Sequence, residues 1–163
     1  MTERQNNFAF IDTQNLYLGI RDSGWKLDYR RFRVYLAHKY HVTKAYLFIG
    51  FLPENQDLYT SLKEFGYVLV FKPVLENKGG HVKGNVDAEL VLQGMIDYNE
   101  YDKAVIVTSD GDFYCLVKYL YEREKLEKVI SPNRDKCSAL LKMSAKDRIV
   151  YMNNLQEKLA YHK

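Results

Sequence analysis

Short apolar runs alternate along the chain with segments whose apolar residues fall at helical spacing. Phe8-Ala9-Phe10-Ile11 is a run ended by Asp12, the pattern of a buried strand whose carboxyl end carries a carboxylate. Asp28 is placed to cap a helix over residues 29–41, where Phe32, Tyr35 and Leu36 share a face. Residues 45–49 return to a strand, 58–65 to a helix closed by Gly66, and 67–71 to a third strand. Residues 72–85, KPVLENKGGHVKGN, are rich in Gly and Lys and lack a period, which predicts an exposed loop. A helix over 87–98 opens at Asp87, and Val105-Ile106-Val107 is a buried strand ending in Thr108-Ser109-Asp110. Asp112 then precedes a helix over 113–124, with Phe113, Leu116, Val117 and Leu120 on its inner face. A strand over 127–130, helical turns over 138–143, a short edge strand over 149–152 and a terminal helix over 153–161 complete the pattern.

Strands alternating with helices at these lengths predict an α/β fold, a Rossmann-like parallel sheet of five or six strands covered by helices on both faces. In such sheets ligands bind beyond the carboxyl ends of the strands, where the strand order reverses. Asp12 and Asp110 are both expected at those ends. The 163 residues, 47% of them hydrophobic, suit a single domain over 1–163 built on one core.

The net charge of +3 is too small to imply a nucleic-acid partner, but its distribution is uneven. Residues 85–112 hold seven acids and one base, residues 117–163 hold eleven Lys or Arg against six acids, and residues 20–44 hold seven against two. An acidic centre between basic flanks suits a metal-dependent enzyme acting on a polyanion. A solvated surface is the plainer reading of the same charges.

Asp12, Asp87, Asp110 and Asp112 are all predicted at one edge of the sheet. Convergent carboxylates without His or Cys favour Mg²⁺ or Mn²⁺ over zinc. Each alone is explained as a helix cap or turn residue; their shared edge is what argues for a metal site. Gly111 is expected to permit the tight turn between Asp110 and Asp112. Asn15 is placed to orient Asp12 or contact a phosphate, and Ser109 or Thr108 to donate to a phosphate or a water. Lys83 in the Gly-rich loop is a candidate phosphate contact, with His81 beside it and Arg134 a weaker one. Tyr17 and Trp25 flank the first motif and offer rings for stacking on unpaired bases, although packing is the commoner role of such residues. Cys115 and Cys137 form no metal-binding spacing, and free thiols suit a reducing compartment.

FIDTQNLY at 10–17, KGNVD at 83–87 and VTSDGDF at 107–113 together resemble the NYN domain of the PIN-like nuclease superfamily, close to its LabA-like group. The resemblance runs from about Phe8 to Leu155. It implies a PIN-like three-layer α/β/α fold similar to PIN and FLAP nucleases and a Mg²⁺ or Mn²⁺ site. Asp12, Asp87, Asp110 and Asp112 would form that site, with Asn15 and Lys83 as polar companions. Several members of the family cleave RNA. The chain departs from the family at Gln93, where members often carry another Asp, and that loss is expected to weaken a second metal position.

The expected activity is metal-dependent hydrolysis of phosphodiester bonds in single-stranded or structured RNA, with DNA as the other substrate. A catalytically weak module that binds nucleic acid or protein is the alternative. A phosphatase on a similar sheet ranks last, because Thr13 and Gln14 replace the second acid such enzymes carry after the first strand. No apolar leader and no run near ~18 apolar residues is seen, so a cytoplasmic protein without a membrane partner is expected. A homodimer is left open.

Overall fold

The computed structural model describes residues 5–50, 55–73 and 86–162. Most of the loop expected over 72–85, including His81 and Lys83, lies outside the described residues. Six strands make one sheet in the order β3-β2-β1-β4-β5-β6, and every pairing is parallel. These are β1 (Asn7–Asp12), β2 (Val42–Gly50), β3 (Tyr67–Lys72), β4 (Ala104–Val107), β5 (Leu126–Ser131) and β6 (Ile149–Tyr151). β1 and β4 are central, covered on both faces and buried at every position, which is why their sequences are unbroken apolar runs.

The chain leaves β1 in one direction to build β2 and β3, then returns to place β4, β5 and β6 on the other side. Strand order therefore reverses between β1 and β4, and the helices that follow these two strands diverge there, leaving a crevice at their carboxyl ends. Asp12 ends β1, and Asp110 stands three residues beyond β4.

A helix the pattern analysis did not anticipate starts at that crevice. α1 (Thr13–Asp22) follows β1 directly, with the Asp12 side chain as its N-cap and Leu16, Gly19 and Ile20 as its buried stripe. Its first turn, Thr13-Gln14-Asn15, is wholly polar, so the apolar period is too short to stand out. α2 (Tyr29–Tyr40) has the predicted Asp28 cap, bonded to the Arg31 amide at 3.1 Å, and ends at His41 in the left-handed region with φ 57°. α3 (Gln56–Glu64), α4 (Asp87–Ile96), α5 (Tyr114–Glu122) and α6 (Ala139–Ala145) lie within a few residues of expectation. The expected terminal helix is broken into a 3₁₀ turn, Met152–Leu155, and the short α7 (Gln156–Leu159).

Two apolar clusters cover the sheet. Leu16, Ile20, Phe32, Leu36 and Leu159 pack with Ile11, Leu47 and Val107 on one face. Leu90, Leu116, Val117, Leu120 and Leu141 pack with Phe10, Phe48 and Ile106 on the other. The alternation Phe10/Ile11 and Ile106/Val107 sends successive side chains to opposite layers, giving the three-layer α/β/α arrangement. Among the described residues no helix is long and apolar enough to cross a membrane.

Candidate metal centre

Three aspartates from three elements meet at the crevice. Asp12 ends β1, Asp110 follows β4, Asp87 opens α4, and carboxylate oxygens of all three lie within 4.8 Å of one another. They line a hollow of about 330 Å³ together with Gln14, Asn15 and Val86, and the described lining contains no Lys or Arg. A larger hollow, about 640 Å³, lies elsewhere, between α2 and α7.

Asp12 is the most constrained of the three. It is 7% exposed, and burial, reinforced by the charges of Asp87 and Asp110, pushes its carboxyl up from 3.8 to about 6. Hydrogen bonds oppose this: the Asn15 amide donates to Oδ1 at 3.4 Å and the Thr108 hydroxyl to Oδ2 at 3.3 Å. Thr108 Oγ1 also accepts from the Asp110 amide at 3.1 Å, so one buried hydroxyl ties two of the three aspartates together. Asn15 adds a second tie, its Oδ1 accepting from the Ser109 amide at 2.8 Å and fixing the start of α1 to the end of β4.

The carboxylate set suits a hard divalent cation. A cation would offset the repulsion that Asp12 feels from Asp87 and Asp110, and all three residues offer oxygen ligands. Asp112 stands outside this group of three: it is exposed, and its amide donates to Asp110 Oδ1 at 2.9 Å. The Asp-Gly-Asp turn is a short 3₁₀ helix, Gly111–Phe113, capped by Asp110.

Gly111 is needed there for space rather than for an unusual φ. A Cβ at this position would lie 2.9 Å from Ser138 Cβ and closer still to the hydroxyl. The Ser109 hydroxyl, expected to face substrate, is buried and lies 2.7 Å from Ser131 Oγ. Tyr17 is exposed, whereas Trp25 packs against the core. Arg134 lies over the Tyr151 ring at 4.8 Å. Lys83 and His81 fall outside the described residues.

Gln93 is not beside the triad. It lies six residues along α4 from Asp87, about 9 Å at 1.5 Å per residue. Its amide donates to Asp97 Oδ2 at 3.0 Å, and the Tyr46 hydroxyl donates to the same buried carboxylate. Sequence reasoning named Thr108 only as a substrate or water donor and did not assign Gln14, Leu18 or Val86 to the lining of the site.

The NYN domain model matches residues 8–153, nearly the whole chain. The protein belongs to the NYN domain family. NYN domains are PIN-like nucleases. This NYN domain is 27% identical over 158 residues to the low amplitude and bright protein LabA of Synechococcus elongatus, an alignment spanning 90% of this chain and 83% of that protein. A crystal structure of a Vibrio parahaemolyticus protein of unknown function shares the fold with a TM-score of 0.76 at 24% identity, covering 98% of this chain and 99% of that one.

Proposed function

We propose that this NYN domain is a Mg²⁺- or Mn²⁺-dependent ribonuclease that hydrolyses phosphodiester bonds in single-stranded or structured RNA. The observation that carries the reading is the convergence of Asp12, Asp87 and Asp110 at the reversal of strand order. These three residues would hold the cation. When bound, it would lower the pKa of an attacking water and offset charge on the scissile phosphate and the leaving oxygen.

The chain's own residues prepare that site. Asp12 is the buried anchor, fixed by Thr108 and Asn15, while the less buried Asp87 and Asp110 face the hollow where a phosphate would enter. Asp112, one residue past Gly111 and outside the group of three, is read as acting through water. Lys83 is assigned to a substrate phosphate. Hydrolysis adds water across one P–O bond, leaving one strand end as a phosphate and the other as a hydroxyl.

The alternative, a binding module, rests on Gln93 and on the modest net charge of +3. The Gln93 amide is engaged by Asp97 along α4, which supports reading that substitution as separate from the three carboxylates.

Labelled single-stranded, structured and duplex RNA and DNA, incubated with Mg²⁺, Mn²⁺ or chelator, test the proposal. Cleavage of RNA with either metal and none with chelator is expected. Unchanged cutting in chelator would remove the metal from the mechanism. Tight binding without any cutting would favour the binding module.

A further inference from the structure

The larger hollow carries a concentration of positive charge that the proposed chemistry does not use. α2 and α7 enclose a groove of about 640 Å³, with Arg30, Arg31, Lys39 and Lys158 on its walls and Asp28 as the lone carboxylate in its lining. The lining thus nets +3, equal to the net charge of the entire chain. Asp28 is itself committed to the α2 cap and to Arg31, 3.6 Å away.

The charges are ordered along the helix. Arg30, Val34 and His38 form one i, i+4, i+8 ridge, and Arg31, Tyr35 and Lys39 form the next. Arg31 and Lys39 thus stand about 12 Å apart on either side of Tyr35, and Arg30 adds a third cation at the start of the neighbouring ridge. From the opposite wall Lys158 reaches over the Tyr35 ring at 5.4 Å from its centroid. Arg30, Arg31, Lys39 and Lys158 are all exposed, so their charges are available to a ligand.

We infer that the α2–α7 groove binds the phosphates of a polynucleotide strand, as an anchoring surface separate from the aspartate centre. Several cations along one groove, with a single carboxylate already committed to a helix cap, complement the continuous negative charge of a phosphate backbone. The inference rests on the reading of this protein as an enzyme of nucleic-acid strands, but its test does not require cleavage.

A labelled oligonucleotide of about 12 nucleotides, RNA in one arm and DNA in the other, is titrated with the full chain in chelator. Fluorescence anisotropy is read between about 50 and 200 mM salt. The Arg30→Glu/Lys39→Glu variant should bind about tenfold or more weakly, and its log–log salt slope should be shallower by about 1.4 for two lost contacts. Arg30→Gln/Lys39→Gln and Lys158→Gln, each checked by thermal melting, guard against a folding defect and should shift binding in the same direction. RNA and DNA bound alike would assign the groove to the backbone itself, and RNA preferred would add the ribose to what it reads.

Affinity and slope unchanged in the folded variants would overturn the inference, whether or not the protein cuts RNA. Displacement of the oligonucleotide by poly-glutamate at equal charge would also overturn it, pointing to an acidic polypeptide. Failure of the wild type to cleave would sink the nuclease proposal and leave the binding result standing.

Discussion

Replacing Asp12 by Asn should make the metal-free protein more stable while removing its response to metal. Asp12 is 7% exposed and its carboxyl is raised from 3.8 to about 6. Below pH about 4 the group is neutral in both the folded and unfolded chain and costs nothing. As pH rises from about 4 to about 6 the unfolded chain releases the proton while the folded one keeps it, so stability falls. Above about pH 6 the loss is complete, and at about 1.4 kcal/mol per pH unit it amounts to about 3 kcal/mol.

An Asn in the same place carries no charge to desolvate, but it exchanges one acceptor oxygen for a donor beside Thr108. Setting about 1 kcal/mol against that exchange leaves a gain of about 2 kcal/mol near pH 7.5, or roughly 4–8 °C in Tm for a chain of this size. Thermal melting by circular dichroism in chelator, at pH 4.5 and pH 7.5, is the assay. The difference should be small at the lower pH and near its full size at the higher one. Mn²⁺ should raise the Tm of the wild type and leave Asp12→Asn where it was. A variant that melts below the wild type at pH 7.5 in chelator would refute the reasoning, because burial would then not be disfavouring the Asp12 charge.

Thr108→Val removes the hydroxyl bonded to Asp12 and to the Asp110 amide; it should cost about 1–3 kcal/mol in urea unfolding and weaken Mn²⁺ affinity measured by calorimetry. Gly111→Ala drives a Cβ against Ser138 and should cost about 1–3 kcal/mol, with partial recovery in the Gly111→Ala/Ser138→Gly pair. Gln93→Asp, which restores the acid often found in the family, should add no metal affinity. It replaces a donor to Asp97 with a second carboxylate and should instead lower the Tm near neutral pH. Increased Mn²⁺ binding by that variant would show that position 93 serves the metal centre after all.

The sheet was legible because its central strands are covered on both faces. Runs such as Phe8-Ala9-Phe10-Ile11 and Val105-Ile106-Val107 have no competing helical period, and each ends at a site carboxylate or the turn that bears it. α1 was missed for the opposite reason. Its cap and polar first turn belong to the site, so the residues that begin the helix are also those that look like a strand-end motif.

Within the site, spacing along the chain identified the segments but not which way each side chain faces. Period two after β4 puts Thr108 and Asp110 together and turns Ser109 the other way, toward Ser131, and that alternation was available in the sequence. The 3₁₀ geometry that leaves Asp112 outside the group of three was not. Nor was the approach of Ser138, far along the chain, which leaves no room for a Cβ at Gly111. For Gln93, the i, i+4 pairing with Asp97 was available in the sequence, whereas Tyr46, which reaches the same carboxylate from β2, was not.

The most direct test of the central claim is anomalous diffraction from crystals grown with Mn²⁺, comparing the wild type with Asp110→Asn. The account predicts a wild-type peak coordinated by Asp12, Asp87 and Asp110, and its loss or marked weakening in the variant. A wild-type crystal with no peak among those three carboxylates at saturating Mn²⁺, or with an undiminished peak in Asp110→Asn, would contradict it.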